Sequence, residues 1–313
     1  MTTTRRSFIS SAAALSALPF LPTSAMALKV DRPLPIPDVI TVKDEIGSLE
    51  AIAGKSNFLT GVQTETIGYN QPFLGPVLRF SRGRNARMKV KNRLEFPITT
   101  HWHGLHVSAD LDGGPMIKIN PGETWAPELP VDQPAATLWY HSHIHGRTAD
   151  QVYAGLAGMI IVDDPQAPDP GLPKDYGVDD IPLVIQDRAF AADGAFRYVK
   201  WGPALMHGFR ADTILVNGAV RPTATVPKGI TRLRLLNGSN ARMYTLRFLD
   251  NRIFHQVATD GGLLPAPIAM KTLRLAPAER AEILVDFGDG KSAFLVSGPD
   301  NSNPMGAAGA WVV

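Results

Sequence analysis

The 313 residues contain eight histidines, and six of them crowd between positions 101 and 145. Two pairs have a spacing that could do chemistry, His101-Trp102-His103 and His141-Ser142-His143. On a strand, residues i and i+2 share a face, so each H-x-H aims two imidazoles one way and Trp102 or Ser142 the other. Two such strands side by side converge four imidazoles on one point. Neutral imidazole ligates copper, zinc, iron and nickel, and a nitrogen set without sulfur or a carboxylate cluster points to copper or zinc. The competing reading is four core histidines satisfied by hydrogen bonds, recurring four times in phase. His145 shares the face of His143, but Gly146-Arg147 ends that strand. His106 reads as a partly exposed residue or a partner to a ligand. His207 and His255 read as ordinary loop and strand residues.

Elements able to hold such pairs must be strands, and the chain supplies them. With 28 Gly, 26 Pro and 44% hydrophobic residues, the composition is that of a turn-rich globular chain, neither disordered nor collagen-like. Short apolar or alternating runs recur between Gly, Pro, Asn and Asp, as in Met159-Ile160-Ile161-Val162, Thr231-Arg232-Leu233-Arg234-Leu235-Leu236 and Ile283-Leu284-Val285. Strands of this length at this spacing predict an all-β chain of sandwiches or barrels. The acidic, proline-rich stretch beginning at Asp163-Asp164-Pro165 predicts a linker over 166–181 between sandwiches at 28–165 and 182–313.

The N-terminus has a different character. Thr4-Arg5-Arg6-Ser7-Phe8-Ile9, a mildly apolar stretch to Leu21, and Ala25-Met26-Ala27 predict a twin-arginine signal peptide over 1–27 and a periplasmic protein. That stretch, broken by Pro19 and Pro22, is too short for a membrane anchor. Without it 29 basic and 29 acidic residues remain, so the mature chain is formally neutral and has no charge footprint for nucleic acid or anionic lipid. Cysteine is absent, which excludes disulfides, thiolate nucleophiles and cysteine-based metal sites from these residues.

Together the motifs resemble those of multicopper oxidases, with the greatest likeness to the bacterial periplasmic copper-efflux oxidases. The first-domain likeness lies in His101-Trp102-His103-Gly104, Asp112-Gly113-Gly114-Pro115, Trp139-Tyr140-His141-Ser142-His143 and Gly155-Leu156-Ala157-Gly158. Asp212-Thr213-Ile214-Leu215-Val216-Asn217-Gly218, Arg232 to Gly238 and Asp260-Gly261-Gly262-Leu263-Leu264-Pro265 resemble the second domain. The resemblance implies tandem cupredoxin-like Greek-key β-sandwiches. It implies one-electron oxidation of Cu(I) or a small phenolic reductant, coupled to reduction of O2 to water. It further implies His101 as ligand to a type 2 copper, His103, His141 and His143 as ligands to a type 3 pair, and Asp112 as an acid assisting proton delivery. Asp112-Gly113 is equally a good turn.

The departure from the family pattern lies downstream. Family members carry H-x-x-H-x-H and H-C-H motifs that complete the trinuclear cluster and build the type 1 site, whereas here no histidine follows His255. The expectation is an oxidase lacking its third domain, with half of the copper cluster and no turnover alone. A second reading is a non-catalytic periplasmic scaffold or copper-binding protein, for which a copper-free cell-division protein of this fold is the precedent. A two-domain laccase or nitrite reductase is disfavoured because its blue site needs a thiolate. A metal hydrolase built on a β/α barrel is disfavoured because amphipathic helices do not alternate with the strands.

Overall fold

The computed structural model describes residues 32–43, 46–302 and 307–313. The expected signal peptide, residues 1–27, lies outside the described residues. The first half runs β1 (Val39–Thr41), β2 (Gly47–Ser56), β3 (Thr64–Tyr69), β4 (Val77–Ser81), β5 (Arg84–Asn92), β6 (His101–His103), β7 (Thr124–Trp125), β8 (Glu128–Val131), β9 (Ala136–His141), α1 (Thr148–Ala154) and β10 (Ala157–Asp163). One sheet has the order β1-β4-β10-β9-β6, and the facing sheet has β3-β2-β5-β7 with β8 also paired to β5. The two sheets share one core, in which Leu78, Leu138, Tyr140 and Ile160 of the first meet Leu49, Tyr69, Met88 and Val90 of the second.

The second half runs β11 (Asp180–Arg188), α2 (Pro203–His207), β12 (Thr213–Val216), β13 (Ala219–Val220), β14 (Ile230–Asn237), β15 (Tyr244–Phe248), β16 (Phe254–Thr259), β17 (Gly262–Met270), β18 (Leu273–Leu275), β19 (Arg280–Asp286), β20 (Leu295–Ser297) and β21 (Ala310–Trp311). A seven-stranded sheet, β13-β12-β11-β14-β19-β16-β17, faces a four-stranded one, β18-β15-β20-β21. Parallel pairs such as β2 with β5 and β11 with β14 need crossovers between sheets, the mark of Greek-key winding. The chain is thus all-β, two tandem Greek-key sandwiches, as the strand patterning and the family resemblance imply. No helix among the described residues is long and apolar enough to cross a membrane.

A third apolar cluster, which includes Val77, Trp139, Met159 and Ile161 of the first sandwich and Val184, Leu215 and Leu236 of the second, packs the sandwiches against each other. Strands β9 and β10 are therefore buried on both faces, which is why their sequences are apolar runs rather than alternations. Beside that cluster lies a buried polar network. Glu282 accepts from Thr137 Oγ1 of β9 at 2.6 Å and from Arg232 Nε at 2.8 Å. Arg234 donates to Thr137 Oγ1 at 2.8 Å and forks onto Asp180 at 2.7 and 2.8 Å. The alternation in β14 predicts solvent on its polar face, yet Arg232 and Arg234 are buried, because the second sheet face is an interface carrying its own carboxylates.

Candidate metal centre

Strand β6 is three residues long, and it lies antiparallel to the end of β9 with His101 opposite His141, Trp102 opposite Tyr140 and His103 opposite Trp139. That register turns the imidazoles to one side and buries Trp102 and Tyr140 on the other. Trp102 stacks near Trp125 and the Tyr140 hydroxyl donates to Pro76 O at 2.8 Å. Burying two aromatic side chains of this size stabilises the register by several kcal/mol, on the order of 2–3 each. A slip of one residue would expose both and bury the histidines instead.

The ring nitrogens of His101, His103 and His141 come within 4.8 Å of one another. His143 joins them from outside the strand. β9 ends at His141, so an H-S-H strand is not what places it; a loop does. The His143 amide donates to Thr99 Oγ1 at 2.7 Å, and the ring centroid sits 5.3 Å from that of His101 and 5.7 Å from that of His141. Ser142, between the two, donates its hydroxyl to Gln151 of α1, whose amide donates to Pro97 O at 2.9 Å. Nothing in the local sequence announces Gln151 or Thr99: Gln151 takes the Ser142 hydroxyl from 9 residues away but is anchored on Pro97, 54 residues away, and Thr99 holds the His143 amide across 44.

Hydrogen bonds leave the lone pairs available. His101 Nδ1 donates to Asp112 O at 2.9 Å and lies 3.2 Å from Asp112 Oδ2, so its Nε2 is the free donor atom. His141 Nδ1 donates to Ser142 O at 2.8 Å, again freeing Nε2. That Nε2 is 3.2 Å from His103 Nδ1, close to the spacing of two nitrogens each about 2.0–2.1 Å from a single ion. Burial, helped by the charges of Arg280, His101 and His143, lowers the His103 pKa to about 4. Burial likewise keeps His141, stacked 3.9 Å from Trp139, well below the ordinary histidine value. Both rings are neutral at pH 7 and able to ligate.

Asp112 reaches the site from the following turn. Gly113 makes that turn possible, with φ +69° and no room for a Cβ, which would stand 1.8 Å from Thr100 O. Burial raises the Asp112 pKa, against the opposing charges of His101 and His143. The other four histidines, His106, His145, His207 and His255, are exposed and stay outside the cluster.

Does this set of residues fit a metal? The donors are imidazoles, a set of nitrogens without sulfur, a partner carboxylate orients one of them, and His143 Nδ1 is buried with no hydrogen-bond partner. An orphaned ring nitrogen in such a place costs free energy that an ion would recover. The residues fit copper or zinc.

The multicopper oxidase family model matches residues 51–167. Cell division protein FtsP of Escherichia coli (strain K12) is 39% identical over 308 residues, covering 95% of this chain and 63% of its own length. FtsP of Yersinia pestis is 40% identical over 309 residues, with 95% and 63% covered. The chain therefore spans slightly under two thirds of the length of these relatives. Among solved structures, the laccase-like multicopper oxidase CueO from the lignin-degrading bacterium Ochrobactrum sp. superposes with a TM-score of 0.81 at 41% identity, covering 88% of this chain and 63% of that one. McoA multicopper oxidase from Aquifex aeolicus gives 0.81 at 35%, covering 90% and 64%. By sequence and by fold, the chain belongs to the multicopper oxidase family.

Proposed function

We propose that the first sandwich binds copper through His101, His103, His141 and His143 as one half of the oxygen-reducing site of a periplasmic multicopper oxidase. The observation that carries this reading is the convergence of four imidazoles, two with their distal nitrogens freed by backbone hydrogen bonds. When bound, copper would supply one-electron redox chemistry for Cu(I) or phenolic substrates and a binding place for dioxygen. The protein's part is to hold the four rings at fixed spacing, to keep Trp139 packed over His141 and to place the Asp112 carboxyl, a proton carrier, 3.2 Å from His101 Nδ1. No thiolate exists in these 313 residues, so they build no blue electron-entry site, and turnover is not expected of them alone.

The curated relatives are named cell division proteins, which favours a second reading in which this chain serves cell division; we take that role in the form of the non-catalytic scaffold considered above. Metal analysis after loading with Cu(II), Cu(I) or Zn(II) separates the two. Copper bound by the wild type and lost in His101→Ala plus His143→Ala supports the copper site. No metal in either, with both equally folded, supports the scaffold.

A further inference from the structure

The second sandwich reaches into the metal centre with one side chain. Arg280, at the start of β19, is 6% exposed and held rigidly by its own sandwich. Its Nη1 and Nη2 donate to Ala278 O at 3.0 Å and Asp260 O at 3.1 Å, and Nη1 pairs with Asp260 Oδ1 at 3.0 Å. From that anchorage the guanidinium crosses to the first sandwich. Nε donates to Thr137 O of β9 at 3.2 Å, two residues before Trp139, the register partner of His103. Nη2 presses on Gly104, the residue after His103, so closely that a Cβ there would lie 2.7 Å from it. Gln133 grips the same turn, donating to Gly104 O at 3.1 Å and accepting from the His106 amide at 2.8 Å.

We propose that Arg280 is a positioning residue for the metal centre: by bracing the Gly104 turn and β9 together it sets where His103 presents Nδ1. The reason the brace matters is the reach of that nitrogen. His103 meets His141 Nε2 through Nδ1, the ring nitrogen nearer the backbone. A donor so close to the main chain has little side-chain freedom with which to compensate a displaced backbone. His101 and His141, presenting Nε2, have a longer lever and backbone hydrogen bonds of their own. Metal affinity at His103 is thereby coupled to the docking of the second sandwich, which contributes no ligand.

This rests on the copper reading above, and the test separates the two. The full chain and the variants Arg280→Met, Arg280→Lys and Thr64→Val are compared by copper affinity in chelator competition, by Cu(II) electron paramagnetic resonance and, without metal, by the imidazole nitrogen shifts of His103. Thr64→Val removes a different hydrogen bond between the sandwiches, Thr64 Oγ1 to Gly194 O at 2.7 Å, and touches neither Gly104 nor β9. Both Arg280 variants are expected to bind copper about 10–100-fold more weakly, the range for loss of a residue that orients a ligand. They should also show altered hyperfine splitting, with Thr64→Val unchanged. Should Arg280→Met fail to fold, Arg280→Lys alone decides. Wild-type affinity and spectrum in Arg280→Lys overturn the proposal, as does tighter binding by Arg280→Met, which would make Arg280 only a repelling charge. If the wild type binds no copper, the copper reading fails by itself. The metal-free shifts of His103 then decide the brace, supporting it if they move in Arg280→Lys and overturning it if they do not.

Discussion

Glu282→Gln isolates the polar network between the sandwiches. The carboxylate is 1% exposed and accepts from Thr137 at 2.6 Å, Arg232 at 2.8 Å and Arg234 at 3.0 Å. The amide keeps the shape and one acceptor oxygen but removes the charge and turns an NH2 toward a guanidinium. Arg234 retains its fork on Asp180, so the damage falls on Arg232, whose ion-pair partner is Glu282. Breaking a buried pair by removing one partner costs about 3–5 kcal/mol, which at an unfolding entropy of about 2.1 cal/mol/K per residue lowers the Tm of a chain this long by roughly 5–8 °C. Burial alone would raise the Glu282 pKa, but Arg234, Arg232 and the Thr137 hydroxyl outweigh it and hold the group below its ordinary 4.5. Its contribution is therefore complete above that ordinary value and fades as pH falls through the lower folded-state value. Thermal unfolding followed by tryptophan fluorescence from pH 7 to pH 3 should show a wide gap between wild type and Glu282→Gln that narrows below about pH 4.5. A gap under about 2 °C at pH 7, or one that stays constant to pH 3, would refute the assignment of an ionised, charge-paired Glu282.

Three further outcomes are expected. Copper at about 100 times its Kd should stabilise the wild type by about 2.7 kcal/mol, and calorimetry should find no such shift in His101→Ala plus His143→Ala. Gly113→Ala should destabilise the chain by more than about 2 kcal/mol, because its Cβ meets Thr100 O and the residue sits at positive φ; a urea midpoint equal to wild type would contradict the packing. Gln151→Leu should cost about 2–4 kcal/mol by leaving Pro97 O and the Ser142 hydroxyl short of a partner, and should weaken copper binding through His143, both measurable on one preparation.

Local spacing carried much of the site. The i, i+2 rule is enough to aim His101 with His103, and the flanking aromatics are enough to say which face is buried. His143 was legible as a candidate ligand from the H-x-H spacing, but the loop that places it was not, because that loop is fixed by Thr99 and by the tie of Gln151 to Pro97, both distant in sequence. Arg280 was invisible for the same reason: Ala278-Glu279-Arg280 carries no motif, and its meaning exists only once the second sandwich lies against Gly104. Arg232 and Arg234 give no local sign of their burial, since a buried charge in β14 becomes legible only when Glu282 and Asp180 are seen beside it. The all-β architecture was the easiest part, because turn residues and short apolar runs are local signals.

The antiparallel pairing of β6 with β9 has a consequence for how the molecule assembles. His103 and His141 are 38 residues apart, and Thr137 meets Glu282 across 145. Contacts of such separation close large loops before they return any free energy, so they form slowly. A nascent chain with only the first H-x-H translated has no partner strand against which to set its register. The histidine cluster thus exists only once β6 has found its register on β9, and metal capture during refolding would report that pairing.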